Sequence, residues 1–146
     1  LKKKSLPLPP DKKELLSELQ SLLQATEDTM SNHPPKDINA LIEHLIECNS
    51  ILAMQGRIME LATGIHSHMK GVMIETLTEE DASRKAHEFR MWADGRMANW
   101  DALYVKAERS IKSLDKYCEN LRTMISAEKE LSKIWNRVKL IGITFP

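Results

Sequence analysis

Prolines stand at positions 7, 9, 10, 34, 35 and 146, which leaves residues 36 to 145 without one. Proline removes a backbone donor and clashes with the preceding helical turn, so a long proline-free tract is where uninterrupted helices can form. Composition points the same way. Aromatic residues make up only 5% of the chain and valine occurs three times, while Leu, Met, Glu, Lys and Ala are plentiful, a balance that favours helix over sheet. A chain of 146 residues that is 42% apolar has material for one domain with its own core. The expected fold is all-α: a small helical bundle with a long C-terminal helix carrying a coiled-coil heptad seam.

The prolines also mark the joints. Leu1 to Pro10 combines Lys2, Lys3 and Lys4 with three prolines and reads as an extended linker. Asp11 followed by Glu14 suggests an N-cap with a reciprocal partner, and Leu15, Leu16, Leu19, Leu22 and Leu23 then share one stripe of a helix over about 11–30. Ser31-Asn32-His33-Pro34-Pro35 excludes helix, and Asp37 is suited to cap the next one. From Ile38 an amphipathic pattern runs through Leu41, Ile42, Leu45 and Ile46 to Met59, Ile65, Met69 and Met73, interrupted by Gly56, Gly64 and Gly71. An interior glycine costs about 1 kcal/mol relative to alanine, which predicts two helices with a bend between Asn49 and Gly56. Thr78 with Asp81 resembles a capping box, so a further helix is expected from near Glu79. The linker is assigned to 1–10, the bundle to 11–100, and an extension of the long helix with a C-terminal segment to 101–146.

The most regular signal lies downstream. Ala93, Met97, Trp100, Tyr104, Ala107, Ile111, Leu114, Cys118, Leu121 and Ile125 alternate spacings of four and three without a slip, the seam of a coiled coil. After Ile125 the phase breaks: the next seam positions are Glu128 and Ser132, and the apolar residues move to Leu131, Ile134, Trp135 and Val138, which predicts a stutter or a bend. Residues 79 to 135 as one helix would span roughly 85 Å at about 1.5 Å per residue. Part of it is expected to project, to pack on a second copy, or to fold back. Trp100, Tyr104, Ile111, Leu114 and Leu121 are therefore candidate residues for self-association or for a partner helix.

Charge and motifs narrow the function. Twenty-one basic and twenty-one acidic residues cancel, so no global field steers the chain to nucleic acid or to an anionic membrane. No apolar run is long enough to span a bilayer, and the start at Leu1 without a recognisable leader reads as a soluble, intracellular segment of a longer protein. No nucleophile elbow, phosphate-binding glycine loop, HExxH or paired-carboxylate motif occurs, so the chain is expected not to be an enzyme. No metal or cofactor is expected either. His66 and His68 are two apart and diverge on a helix, and His44 with Cys48 lacks a third ligand at a suitable spacing. Cys48 and Cys118 read as buried free thiols. The eight methionines allow an adaptable groove, although Met59, Met69, Met73 and Met97 lie on core stripes. Trp92 lies off the seam that holds Trp100, which makes it a candidate anchor for a protein partner or a core residue facing the N-terminal helices.

Asp37-Ile38-Asn39-Ala40-Leu41-Ile42-Glu43-His44-Leu45-Ile46-Glu47 resembles the second helix of the integrase-binding domain in the lens-epithelium-derived growth factor family. The matching positions are Asp37, Asn39, Ile42, Glu43, Leu45 and Glu47, followed by Ser50 and Ile51; the likeness extends loosely over residues 12–100. That domain belongs to the small helical bundles named after the N-terminal domain of a transcription elongation factor. The chain departs from the family at the end of the third helix, where His66, His68 and Lys70 stand in place of a strongly basic run. The resemblance implies a docking module that receives short linear motifs of chromatin and transcription proteins on two inter-helix loops, here Met30 to Lys36 and Val72 to Thr78. Partner-binding residues would be Met30, Asn32, Lys36, Asp37, Met73 and Trp92. The expected function is a nuclear, non-enzymatic module that docks or tethers a chromatin- or transcription-associated protein complex. Its ligand would be a linear motif or a partner helix, with homodimerisation as a further option. The alternative is a cytoplasmic scaffold built as an antiparallel, spectrin-like helical hairpin or a dimerisation domain.

Overall fold

Helices begin and end close to where prolines and caps place them. The structure is a computed structural model that describes residues 6–31, 33–80 and 86–141. A 3-10 turn over Pro10–Lys12 leads into α1 (Lys13–Ser31), followed by α2 (Ile38–Leu52), α3 (Gln55–Glu80) and α4 (Ala86–Ile141). Among the described residues there is no strand, and the fold is an all-α bundle in which α4 packs on the other helices. Asp37 caps α2, its Oδ2 accepting from the Ala40 amide at 3.1 Å, which satisfies one of the orphan donors of the first turn. Asp11 does not cap α1. It lies inside the 3-10 turn, whose cap residue Pro9 makes no side-chain bond.

The expected bend falls at Ala53-Met54. Both residues bond back by short turns, Ala53 N to Asn49 O and Met54 N to Ile51 O, each at 2.9 Å. α3 then runs unbroken past Gly56, Gly64 and Gly71. A Cβ built on any of the three would meet nothing within 4 Å, so these glycines weaken the helix without serving a close approach. Burial of Ile58, Leu61, Ala62, Ile65, Met69 and Met73 outweighs their propensity cost. The joint expected at Thr76 to Asp81 is shifted: α3 runs through Thr76 to Glu80, α4 opens at Ala86 instead of near Glu79, and Asp81 of the supposed capping box lies outside the described residues.

α2 and α3 lie end to end along α4, antiparallel to it. Met124 lines one groove with Leu41, Cys118 meets Cys48, and Asp101 meets His66, so the α4 number falls as the α2–α3 number rises. The core accordingly divides along α4. Trp92, Met97, Ala107 and Ile111 pack with Leu19 and Leu23 of α1 and with α3, while Leu114, Cys118, Leu121 and Ile125 pack with Leu41 and Cys48 of α2. The bundle therefore reaches Ile125 instead of ending near residue 100.

Two further expectations are corrected. Residues 6–9 are not a free linker: Leu6 is 5% exposed within the core, its amide donates to Arg96 O at 3.1 Å, and its carbonyl accepts from Trp100 Nε1 at 3.0 Å. The apolar pair Leu6 and Leu8 offsets the charge and prolines that made this stretch look extended. α4 also does not fold back after Ile125. It continues to Ile141, and its 56 residues span about 84 Å at roughly 1.5 Å per residue. The phase change rotates the apolar face and leaves the helix continuous.

Candidate functional site

The structure sorts the residues singled out by sequence into covered and open ones. Met73 and Trp92 are buried in the upper core, Trp92 at 3% exposure with the Arg96 guanidinium 5.0 Å from its ring centroid. Neither is a partner anchor. α4 near Trp92 is flanked by α3, by α1 and by Leu6, so its buried face there is wider than one heptad stripe. The supposed second loop, Val72 to Thr78, is helical. The heptad seam is covered by the chain itself: Ile111, Leu114 and Leu121 are buried against α1–α3 and α2. Trp100 and Tyr104 are half-buried, the first bonded to Leu6 and the second with its ring centroid 5.2 Å from that of His66. These five residues hold the monomer together and present no free seam to a second copy.

The first loop remains open. Lys36 and Asp37 are exposed and Met30 is half-buried against the lower core; Asn32 lies outside the described residues. Pro34, Pro35 and Lys36 form one wall of a groove of about 570 Å³, and Met124, Ala127 and Glu128 on α4 form the other. The double proline that breaks the helix thus also builds a rigid edge. From this groove α4 leaves the bundle, and Leu131, Ile134, Trp135, Leu140 and Ile141 are exposed along it, Trp135 at 54%. Residues 131–141 carry Lys133, Arg137 and Lys139 and no acid. A proline-edged groove continued by an apolar, basic helix face can take up a helix or an extended segment through burial of apolar area. Sequence reasoning registered the shift to Leu131, Ile134, Trp135 and Val138 as a phase break, whereas the structure shows it as an open surface.

A polar cluster between α2 and α4 has a different character. His44 Nε2 lies 2.7 Å from the Tyr117 hydroxyl and 3.9 Å from Cys48 Sγ. The Glu47 carboxylate, 3.8 Å from His44 Nδ1, favours the proton on that nitrogen, and we assign Nε2 as acceptor of the Tyr117 O–H. Burial pushes the Cys48 thiol up to about 11, assisted by the adjacent Cys118, and raises Cys118 and Tyr117 as well. Both thiols are free and buried. They are protonated at neutral pH, which makes them poor nucleophiles and poor metal ligands. Among the described residues no group of three or more His, Cys, Asp or Glu side chains could hold a metal ion, and no helix is long and apolar enough to cross a membrane. His66, whose Nε2 lies 2.6 Å from Asp101, ties α3 to α4.

Comparison with protein-family models, with curated proteins and with solved structures gives no match to this chain.

Proposed function

We propose that this chain is a non-enzymatic protein-interaction module, in which the bundle is the base and the loop groove with the projecting end of α4 is the docking surface. One observation carries the reading. α4 outruns the bundle beyond Ile125 with Leu131, Ile134 and Ile141 exposed, directly continuous with the groove edged by Pro34 and Pro35. An apolar face of this kind is unfavourable in water and favours a covering partner. The likeness of residues 37–51 to the integrase-binding domain supports a nuclear setting and a chromatin- or transcription-associated partner, with Lys36 at the mouth of the groove. A second reading, a spectrin-like scaffold, is favoured by the antiparallel run of α2–α3 against α4.

Affinity capture from nuclear and cytosolic extracts, quantified for the unmodified chain against Lys36→Glu and Ile134→Asp, tests the docking surface. Both positions are exposed, so the variants should keep their helicity and melting temperature. The expected result is a set of nuclear proteins retained by the unmodified chain and lost with both variants. A set unchanged by both variants would sink the proposal, and a set drawn only from cytoskeletal proteins would favour the scaffold.

A further inference from the structure

α4 carries a second heptad seam, one residue out of step with the first. Met124, Ala127, Leu131, Ile134, Val138 and Ile141 alternate spacings of three and four. One residue turns a helix face by about 100°. The first seam therefore faces α2, and the second faces outward: Val138 is half-buried and the other five are exposed.

This outer seam is complementary to itself when reversed. Laid antiparallel on a copy of itself, Met124 stands opposite Ile141, Ala127 opposite Val138, and Leu131 opposite Ile134, so every layer joins an a position to a d position. The alignment also sets Glu130 of one copy beside Arg137 of the other, twice by two-fold symmetry. A parallel alignment has no such pair, since Glu130 would then face Trp135. Geometry permits the reversal. The projecting residues 126–141 are about 24 Å long, and Ile125 of one copy stands level with Leu140 of the other. Each bundle thus begins where the opposite helix ends, and the two bundles sit at the far ends of one rod. Val138 and Ile141 of the second copy arrive beside Ala127 and Met124, which already line the loop groove.

We propose that the occupant of this face is a second copy of the chain, paired antiparallel through residues 124–141. The inference rests on the interaction reading above and names its partner. Six seam positions per copy make a small interface, so self-association in the range of about 1–100 µM is expected.

Sedimentation of the whole chain over about 1–300 µM tests this. The average mass should rise from 16.7 kDa toward twice that value. Leu131→Asp and Ile134→Asp should each hold the mass at the monomer value while leaving the melting curve at low concentration unchanged. Glu130→Arg alone and Arg137→Glu alone should each weaken pairing about tenfold, and an equimolar mixture of these two variants should restore it, because only the reversed alignment brings the two positions together. A monomer mass at every concentration, or a mixture no tighter than either variant, would overturn the proposal. So would a monomer that binds vesicles of mixed phosphatidylserine and phosphatidylcholine through Lys133, Arg137 and Lys139, which would identify the face as a membrane-surface helix. A chain that stays monomeric yet loses captured proteins on Ile134→Asp would overturn the self-pairing and leave the interaction module standing.

Discussion

The Tyr117 hydroxyl on α4 lies 2.7 Å from Nε2 of His44 on α2, a polar link between helices in the lower half of the bundle. Tyr117→Phe should lower stability by about 0.5–1.5 kcal/mol, the ordinary contribution of a partly buried hydrogen bond. The check is a double-mutant cycle with His44→Ala in urea. Strictly additive effects would show that the two side chains are not coupled.

The two cysteines should be silent toward thiol reagents in the folded chain. With Cys48 pushed up to about 11 and both thiols buried, dithiobis-nitrobenzoate should react negligibly at pH 8 and label both on adding guanidinium. The pH dependence follows from the raised value. Stability from keeping Cys48 neutral is fully present below the ordinary thiol value of 9.0 and is lost as pH rises toward about 11. Cys48→Ala, although less stable overall, should therefore lose less than the unmodified chain between those two pH values.

Glu18 and Arg57 form a two-point ion pair between α1 and α3, with both bonds at 2.8 Å. The guanidinium holds the Glu18 carboxyl below its ordinary value of 4.5. A depressed carboxylate contributes above its unfolded value and loses that contribution as pH falls through the folded one. The melting-temperature difference between the unmodified chain and Arg57→Gln should be largest at neutral pH and should shrink below pH 4.5. A difference independent of pH would assign the effect to packing of the arginine stem.

Gly64→Ala and Gly71→Ala should each stabilise the chain by about 0.5–1 kcal/mol, because a helical glycine carries that entropic cost and the added methyl meets no neighbour. Chemical denaturation reads this directly. A loss of stability at either position would contradict the open space found around an added methyl there.

Leu6→Ala should cost about 2–5 kcal/mol, as for a core leucine, although Leu6 precedes the first helix. Leu131→Ala, on the projecting stretch, should change the stability of the monomer by less than about 0.5 kcal/mol. Similar costs at the two positions would contradict the division of α4 into a covered and an open segment.

Periodicity made most of the helical framework legible. The bend at Ala53-Met54 was foreseeable because glycine and polar residues interrupt an apolar stripe there, and Asp37 announced its cap by type and spacing. Three features were not legible. Thr76 to Glu80 reads as a joint because capping residues occur there, yet α3 continues through it. Leu6 is hidden by the lysines and prolines around it, since burial of one leucine beside Trp100 depends on a contact 94 residues away. The ten-residue seam ending at Ile125 was visible, but whether it faces the chain's own helices or another molecule depends on tertiary placement, which periodicity does not encode. Of the candidate site, Lys36 and the Pro34-Pro35 edge were marked in advance. Met73 lies on the core stripe by its own spacing, and only the resemblance assigned it to a partner. Trp92 takes the second of its two readings, a core residue against the N-terminal part, a choice between helix and solvent that a single apolar residue off the seam does not reveal.

That both core clusters are completed only by α4 bears on how the chain is made. α1, α2 and α3 leave the ribosome first, and the residues that cover them extend to Ile125. At about 5–20 residues per second, synthesis from residue 80 to 125 takes roughly 2–9 s. For that interval the leucines of α1 and the methionines of α3 lack the cover that α4 supplies, so the nascent chain should be a client of ribosome-associated chaperones until α4 has emerged. The segment carrying Leu6, made before all three of these helices, likewise waits for Arg96 and Trp100 of α4 before its leucine is covered.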